Sequence, residues 1–263
     1  MAATSAPLLQ LQGISKSFGS VQALTDVDFE VRPGEVMALV GDNGAGKSTL
    51  VKCIAGTHAP DDGAIVFEGR EVHIHGPKDA SKLGIEVVYQ DLALCDNLDV
   101  VQNMYLGREA NRAEILNEPT MEQHTAETLA SLRVTTISSV RQTVATLSGG
   151  QRQSVAVARA VMWNSKLVIL DEPTAALGVA QTEQVLELVR RLGEQGLGVV
   201  IISHNLHDVF ETATRITVLR LGRNVGLFER EKTTPQEVVE AITAGQPTKV
   251  SGITTPAATE PAS

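Results

Sequence analysis

The sequence has little cysteine, no long apolar run and no excess of basic charge. Its two cysteines, Cys53 and Cys95, are too few for a disulfide framework and match no metal-ligand spacing. Two plain thiols in a reducing compartment are the simplest account. No stretch approaches the roughly 20 consecutive apolar residues that span a bilayer. The longest runs, such as Leu197 to Ile202, are strand-sized and end at polar residues. The N-terminus, MAATSAPLLQ, lacks a basic segment followed by an apolar one, so no secretory signal is expected. The chain is expected in the cytoplasm unless a partner carries it to a membrane. Against 31 acidic residues there are 22 Lys and Arg, a formal net charge of −9. That balance argues against a general nucleic-acid binder.

What is present is an alternation of apolar runs and helical periods. Leu8 to Leu11 and Val27 to Val31 alternate as half-buried strands, with a loop carrying Phe18 and Gly19 between them. Val36 to Val40, after the Pro33-Gly34 turn signal, reads as a buried parallel strand. A glycine-rich loop and a helix from about Lys47 to Ala55 follow. Further strands are expected at Ala64 to Glu68 and Ile85 to Tyr89. From about Asp99 to Val144 the β signal disappears, and Met121, Thr125, Leu129 and Leu132 recur at helical spacing.

The alternation then resumes. A helix begins at Gly150, and strands run over Leu167 to Leu170 and Val199 to Ile202. Helices run over Val179 to Leu192 and Leu206 to Thr212. Strands Ile216 to Leu219 and Val225 to Phe228 and a helix near Gln236 to Ile242 close the pattern. The fold class is therefore α/β. We expect one domain over 8–245, a three-layer core with an N-terminal antiparallel β subdomain and a helical subdomain of about 91–160 inserted. Residues 246–263, rich in Pro, Thr, Ala and Ser, read as a disordered tail.

Gly41-Asp42-Asn43-Gly44-Ala45-Gly46-Lys47-Ser48, followed by Thr49, fits the P-loop pattern G-x-x-x-x-G-K-[ST] between a buried strand and a helix. The glycines let successive N–H groups converge on phosphates, and the helix N-terminus adds partial positive charge. Lys47 supplies a full charge near the β- and γ-oxygens, and the Ser48 hydroxyl suits Mg²⁺. A second acidic element follows at Leu167 to Glu172, an apolar strand ending in Asp171 and Glu172. Parallel sheets bind ligands at that edge. Asp171 suits Mg²⁺, and Glu172 suits a general base for an attacking water. These features indicate a P-loop NTPase without choosing its kind.

Leu147-Ser148-Gly149-Gly150-Gln151 chooses. Here the chain closely resembles the ATP-binding cassette (ABC) family, whose signature is LSGGQ. The resemblance runs from about Leu8 to Gln236 and implies a head-to-tail homodimer. In such a dimer Ser148, Gly149, Gly150 and Gln151 meet the ATP held by the partner's P-loop. It also implies that Phe18 stacks on adenine, that Gln90 senses Mg²⁺ and the attacking water, and that His204 contacts the γ-phosphate. The implied Mg²⁺ ligands are Ser48, Gln90 and Asp171. One departure is Gly178, where the family commonly has Asp at a loop that crosses to the partner subunit.

The stretches Asp91 to Val100 and Asn103 to Glu109, with Glu172 to Val179, look like the ATPases of bacterial monosaccharide importers of the ribose, xylose and fructose group. A single cassette resembles the fructose-type branch. That likeness implies ATP and Mg²⁺ as cofactors and permease subunits contacting 90–107. An extracytoplasmic sugar-binding protein would act indirectly, and the chain would sit on the cytoplasmic face of the membrane, without nucleic acid. The rivals are an ABC ATPase for another cargo and a soluble ABC ATPase that remodels nucleic acid or ribosomes. The acidic balance and the absence of a long charged linker argue against the latter.

Overall fold

The computed structural model describes residues 6–109, 111–112 and 115–244; the tail expected over 246–263 lies outside the described residues. Two sheets organise the chain. The first is antiparallel and is formed by β1 (Leu9–Phe18), β2 (Val21–Val31), β4 (Asp62–Phe67) and β5 (Arg70–Val72), in the order β2-β1-β4-β5. β3 (Val36–Val40) belongs to the second sheet, whose other members are β6 (Ile85–Val88), β9 (Leu167–Asp171), β10 (Gly198–Ile202), β11 (Arg215–Arg220) and β12 (Arg223–Glu229). Its order is β12-β11-β3-β10-β9-β6. The four pairings from β6 to β11 are all parallel, and β12 returns antiparallel on β11.

Both faces of this second sheet are covered, which explains why its strands read as continuous apolar runs. Val36, Ala38 and Val40 point into one core, with Val168, Leu170, Val199 and Ile201. Met37 and Leu39 point into the other, with Leu167, Ile169, Val200 and Ile202. The first core is roofed by α3 (Val100–Tyr105), α4 (Glu118–Ser131), α5 (Gly149–Val161), α6 (Val179–Glu194), α7 (Leu206–Thr212) and α8 (Pro235–Ala244). The second is closed by α1 (Lys47–Ile54), by α2 (Pro77–Leu83) and by the antiparallel sheet. Truncating a fully buried leucine such as Leu39 in such a core costs about 2–5 kcal/mol.

One buried ion cluster ties the layers together. Arg215 donates from Nε to Glu35 Oε1 at 2.5 Å, from Nη2 to Glu35 Oε2 at 2.9 Å and from Nη1 to Glu30 Oε1 at 2.7 Å. Burial works against the guanidinium charge, but the bonds to Glu35 and Glu30 outweigh it and raise the Arg215 pKa.

Several expectations are corrected. The loop expected between Leu11 and Val27 is a hairpin in which both strands extend to the Phe18–Val21 pair. Register shifts after Leu11, Ile14 and Lys16 break the alternation. β5 and α2 carry no strong apolar period and were not expected. The region from Asp99 to Val144, expected to be free of strand, holds a two-stranded pair, β7 (Asn111–Arg112) and β8 (Ile115–Leu116).

Candidate nucleotide-binding site

The carboxyl ends of β3, β10, β9 and β6 lie along one edge, because their ladders are parallel and in register: Ile202 pairs with Leu39 and with Asp171, and Val88 with Leu170. Each strand hands its next residues to the same cleft, of about 840 Å³. β3 delivers Gly41 to Thr49, β9 delivers Asp171 and Glu172, β10 delivers Ser203 and His204, and β6 delivers Gln90.

The loop between β3 and α1 is shaped by its glycines. Gly41 has φ +149°, and a Cβ there would stand 2.1 Å from the Leu219 carbonyl oxygen. Gly46 has φ +102° at the start of α1, with the Ala23 carbonyl 2.8 Å from a would-be Cβ. No other residue type fits either place without moving the backbone. Lys47 folds back over the loop, donating from Nζ to the carbonyls of Gly41 at 2.6 Å and Asp42 at 3.0 Å. Burial lowers the Lys47 pKa, opposed by the nearby charges of Glu172, Asp42 and Asp171. Burial raises the Asp171 pKa, Glu172 adds to the rise, and Lys47 and Lys52 oppose it.

Glu172 holds a positive φ of +50°, and its N–H is fixed to the Ile202 carbonyl at 3.0 Å. Its Oε2 is buried without a hydrogen-bond partner, although His204 Nδ1 is 2.8 Å away. The His204 side chain is otherwise 75% exposed.

Ser48, Gln90 and Asp171, the three expected Mg²⁺ ligands, all line the cleft. Their donors are a hydroxyl, an amide and a carboxylate, a hard-oxygen set suited to that ion, which keeps waters and phosphate oxygens as its remaining ligands. Among the described residues no group of three His, Cys, Asp or Glu side chains forms a dedicated cage. Oxygen donors beside an unpartnered Glu172 oxygen fit Mg²⁺ held together with a phosphate substrate.

Other expected residues lie elsewhere. Phe18 ends β1, 44% exposed, with its ring 5.1 Å from that of His58 and Lys16 Nζ above it at 5.6 Å. It does not line the cleft, but Val21, its strand partner, does, together with Gln22 and Ala23. Ser148, Gly149, Gly150 and Gln151 also lie outside the cleft. Ser148 is the exposed N-cap of α5 in a reciprocal capping box: its Oγ accepts from Gln151 N–H, and its own N–H donates to Gln151 Oε1 at 2.8 Å. Gly149 and Gly150 face Leu177 and Gln181 closely enough that a Cβ would stand 2.8 Å and 3.1 Å from them. Val21 to Ala23, Leu206 and Ile242 were missed as lining residues. Val21, Ala23, Leu206 and Ile242 are apolar and Gln22 belongs to no motif, so only the fold brings them to the cleft.

Residues 24–175 match the family model described as ABC transporter. Over 237 residues the chain is 48% identical to the xylose/arabinose import ATP-binding protein of Sulfolobus acidocaldarius, covering 90% of this chain and 94% of that protein. It is 44% identical over 247 residues to the fructose import ATP-binding protein of Rhizobium meliloti, covering 91% and 95%. A dimeric ATP-binding cassette solved with ADP and phosphate superposes with a TM-score of 0.70 at 25% identity, covering 84% of this chain and 98% of that one.

Proposed function

The chain belongs to the ABC transporter family, and we propose that it is the ATP-binding and hydrolysing subunit of an importer for a monosaccharide. The observation that carries this reading is the convergence of Lys47, Ser48, Gln90, Asp171, Glu172 and His204 on one cleft. The identity to xylose/arabinose and fructose import subunits over nearly the whole of each chain supports the cargo class.

In this reading the N–H groups of the 41–48 loop and the Lys47 ammonium hold the phosphates. Ser48, Gln90 and Asp171 hold Mg²⁺, which when bound neutralises charge on the phosphate oxygens. Glu172 Oε2, buried and without a donor, takes the proton of the water that attacks the γ-phosphorus as the bond to the bridging oxygen of ADP breaks. His204 steadies the γ-phosphate from the exposed rim. Val21 forms the apolar edge for the base, backed by its strand partner Phe18 just outside the cleft.

Ser148 to Gln151, at the start of α5 and away from this cleft, with Ser148 and Gly149 exposed, serve the ATP of a second copy, so two chains in a head-to-tail homodimer share two equivalent sites. The dimeric cassette among the solved structures supports that arrangement. A separate permease docks on the 90–107 surface of the helical subdomain, where Leu106 is 50% exposed. Beside it lies a groove of about 180 Å³ lined by Glu86, Met104, Arg108, Arg159 and Trp163. An extracytoplasmic sugar-binding protein supplies the cargo. Among the described residues no helix is long and apolar enough to cross a membrane, so attachment at the cytoplasmic face runs through the permease.

The test is turnover and binding together. Purified wild-type chain should hydrolyse ATP with Mg²⁺, and Glu172→Gln should lose turnover at least about a hundredfold while still binding ATP. Unchanged turnover in Glu172→Gln would remove the general-base assignment.

A further inference from the structure

Asp208, in the first turn of α7, is 1% exposed. Among the described residues no cation pairs with it. Its carboxylate accepts from two neutral donors, the Thr174 hydroxyl at Oδ2, 2.5 Å away, and the Asn205 amide at Oδ1, 2.9 Å away. Burying a carboxylate on neutral donors costs the fold more than burying an amide or an apolar group of that size. The N-terminus of α7 offsets part of that cost, but an exposed acid would serve it as well, and packing gives no reason to bury one here.

The two donors come from two different loops. Thr174 stands two residues beyond Glu172, in a segment tightened by bonds from Ala175 N–H to the Glu172 carbonyl at 3.1 Å and from Leu177 N–H to the Thr174 carbonyl at 3.2 Å. Asn205 follows His204 directly. Its N–H donates to Ser203 Oγ at 3.0 Å, and its Oδ1 accepts from His207 N–H at 3.0 Å. One buried carboxylate thus bolts the segment leaving Glu172 to the turn that carries His204, and only a side chain with two acceptor oxygens at this short reach can hold both.

We propose that Asp208 is a positioning residue for ATP hydrolysis, which sets the separation of Glu172 and His204 through Thr174 and Asn205. The proposal rests on the reading of Glu172 as the general base. Asp208 is buried and does not line the cleft; it acts by holding two residues in register.

Steady-state ATPase kinetics of the full chain test this. Asp208→Asn turns one acceptor into a donor and should lower kcat by about tenfold or more with the KM for ATP changed by less than about twofold. Thr174→Val removes one bolt and should act in the same direction. The exchange Asn205→Asp with Asp208→Asn restores every pairing, because the new amide donates to the new carboxylate and still accepts from Thr174. It should recover kcat to within about threefold of wild type. Wild-type kcat in Thr174→Val, or an Asp208→Asn loss that the exchange fails to repair in a protein of unchanged thermal stability, would overturn the proposal. Should the exchange fail to fold, Thr174→Val decides alone, since Thr174 is half-buried at the surface. A wild-type chain without ATPase activity would instead refute the functional reading beneath it.

Discussion

His204 Nδ1 and Glu172 Oε2 lie 2.8 Å apart, yet off the line of a hydrogen bond, so the buried oxygen has no partner. A buried acceptor left unsatisfied costs about 1–3 kcal/mol. Glu172 carries a second cost in its left-handed backbone, at φ +50°. Both costs fall on one residue, at the edge where four parallel strands end. Such local penalties are expected where the demand for a donor is part of the function, and in the proposed mechanism a water placed against the γ-phosphate meets that demand.

Lys47 should be required for affinity. Its Nζ organises the loop through the Gly41 and Asp42 carbonyls, and in the proposed mechanism it offers charge to phosphate. Lys47→Ala should weaken ATP binding by roughly ten- to a hundredfold, the worth of a charge-assisted bond. Titration calorimetry showing unaltered binding would contradict this.

Gly41 should tolerate no side chain. Gly41→Ala forces a Cβ onto the Leu219 carbonyl at φ +149° and should cost at least about 2 kcal/mol in urea unfolding. It should also lose nucleotide binding. A stability equal to wild type would show that the loop yields more easily than its packing suggests.

The Arg215 cluster should be a structural keystone rather than part of the chemistry. Glu35→Ala leaves a buried guanidinium short of two bonds and should destabilise the chain by about 3–5 kcal/mol. The KM for ATP should remain near wild type where the variant is folded.

Asp61 should contribute to acid sensitivity. Its carboxylate is held down to about 2 by the hydrogen bond from Lys16, with further bonds from Ser17. The folded value lies below the unfolded value of about 3.9. The contribution is therefore complete above the unfolded value and is lost as pH falls through the folded one. Asp61→Asn should narrow the loss of thermal stability between pH 5 and pH 2; an unchanged acid limb would contradict it.

Much of the fold was legible because parallel strands buried on both faces announce themselves. Val36 to Val40 and Leu206 to Thr212 have the expected limits, and Leu167, Val199 and Ile216 fall in the expected strands. The antiparallel sheet was harder. Gly13 and Asp26 sit at positive φ beside register shifts, so its alternation breaks within each strand. α2 has no apolar stripe to announce it, since Ala80 is its single buried side chain, although Pro77 opens it and Gly84 closes it at φ +86°. Gly178, singled out as a departure, takes the N-cap of α6 at φ −74° with no side-chain cap and open space around it. The chain's own fold does not demand glycine there. In the site, polar residues at strand ends could be read from motifs, whereas Val21 and Ile242 reach the cleft only through the fold.

The most direct measurement is uptake of a panel of labelled monosaccharides by cells lacking this chain, complemented with wild type or with Glu172→Gln. The account predicts that uptake of one sugar fails without the chain and returns only with wild type. Normal entry of every sugar in its absence would contradict the import of a monosaccharide and turn the search to another cargo.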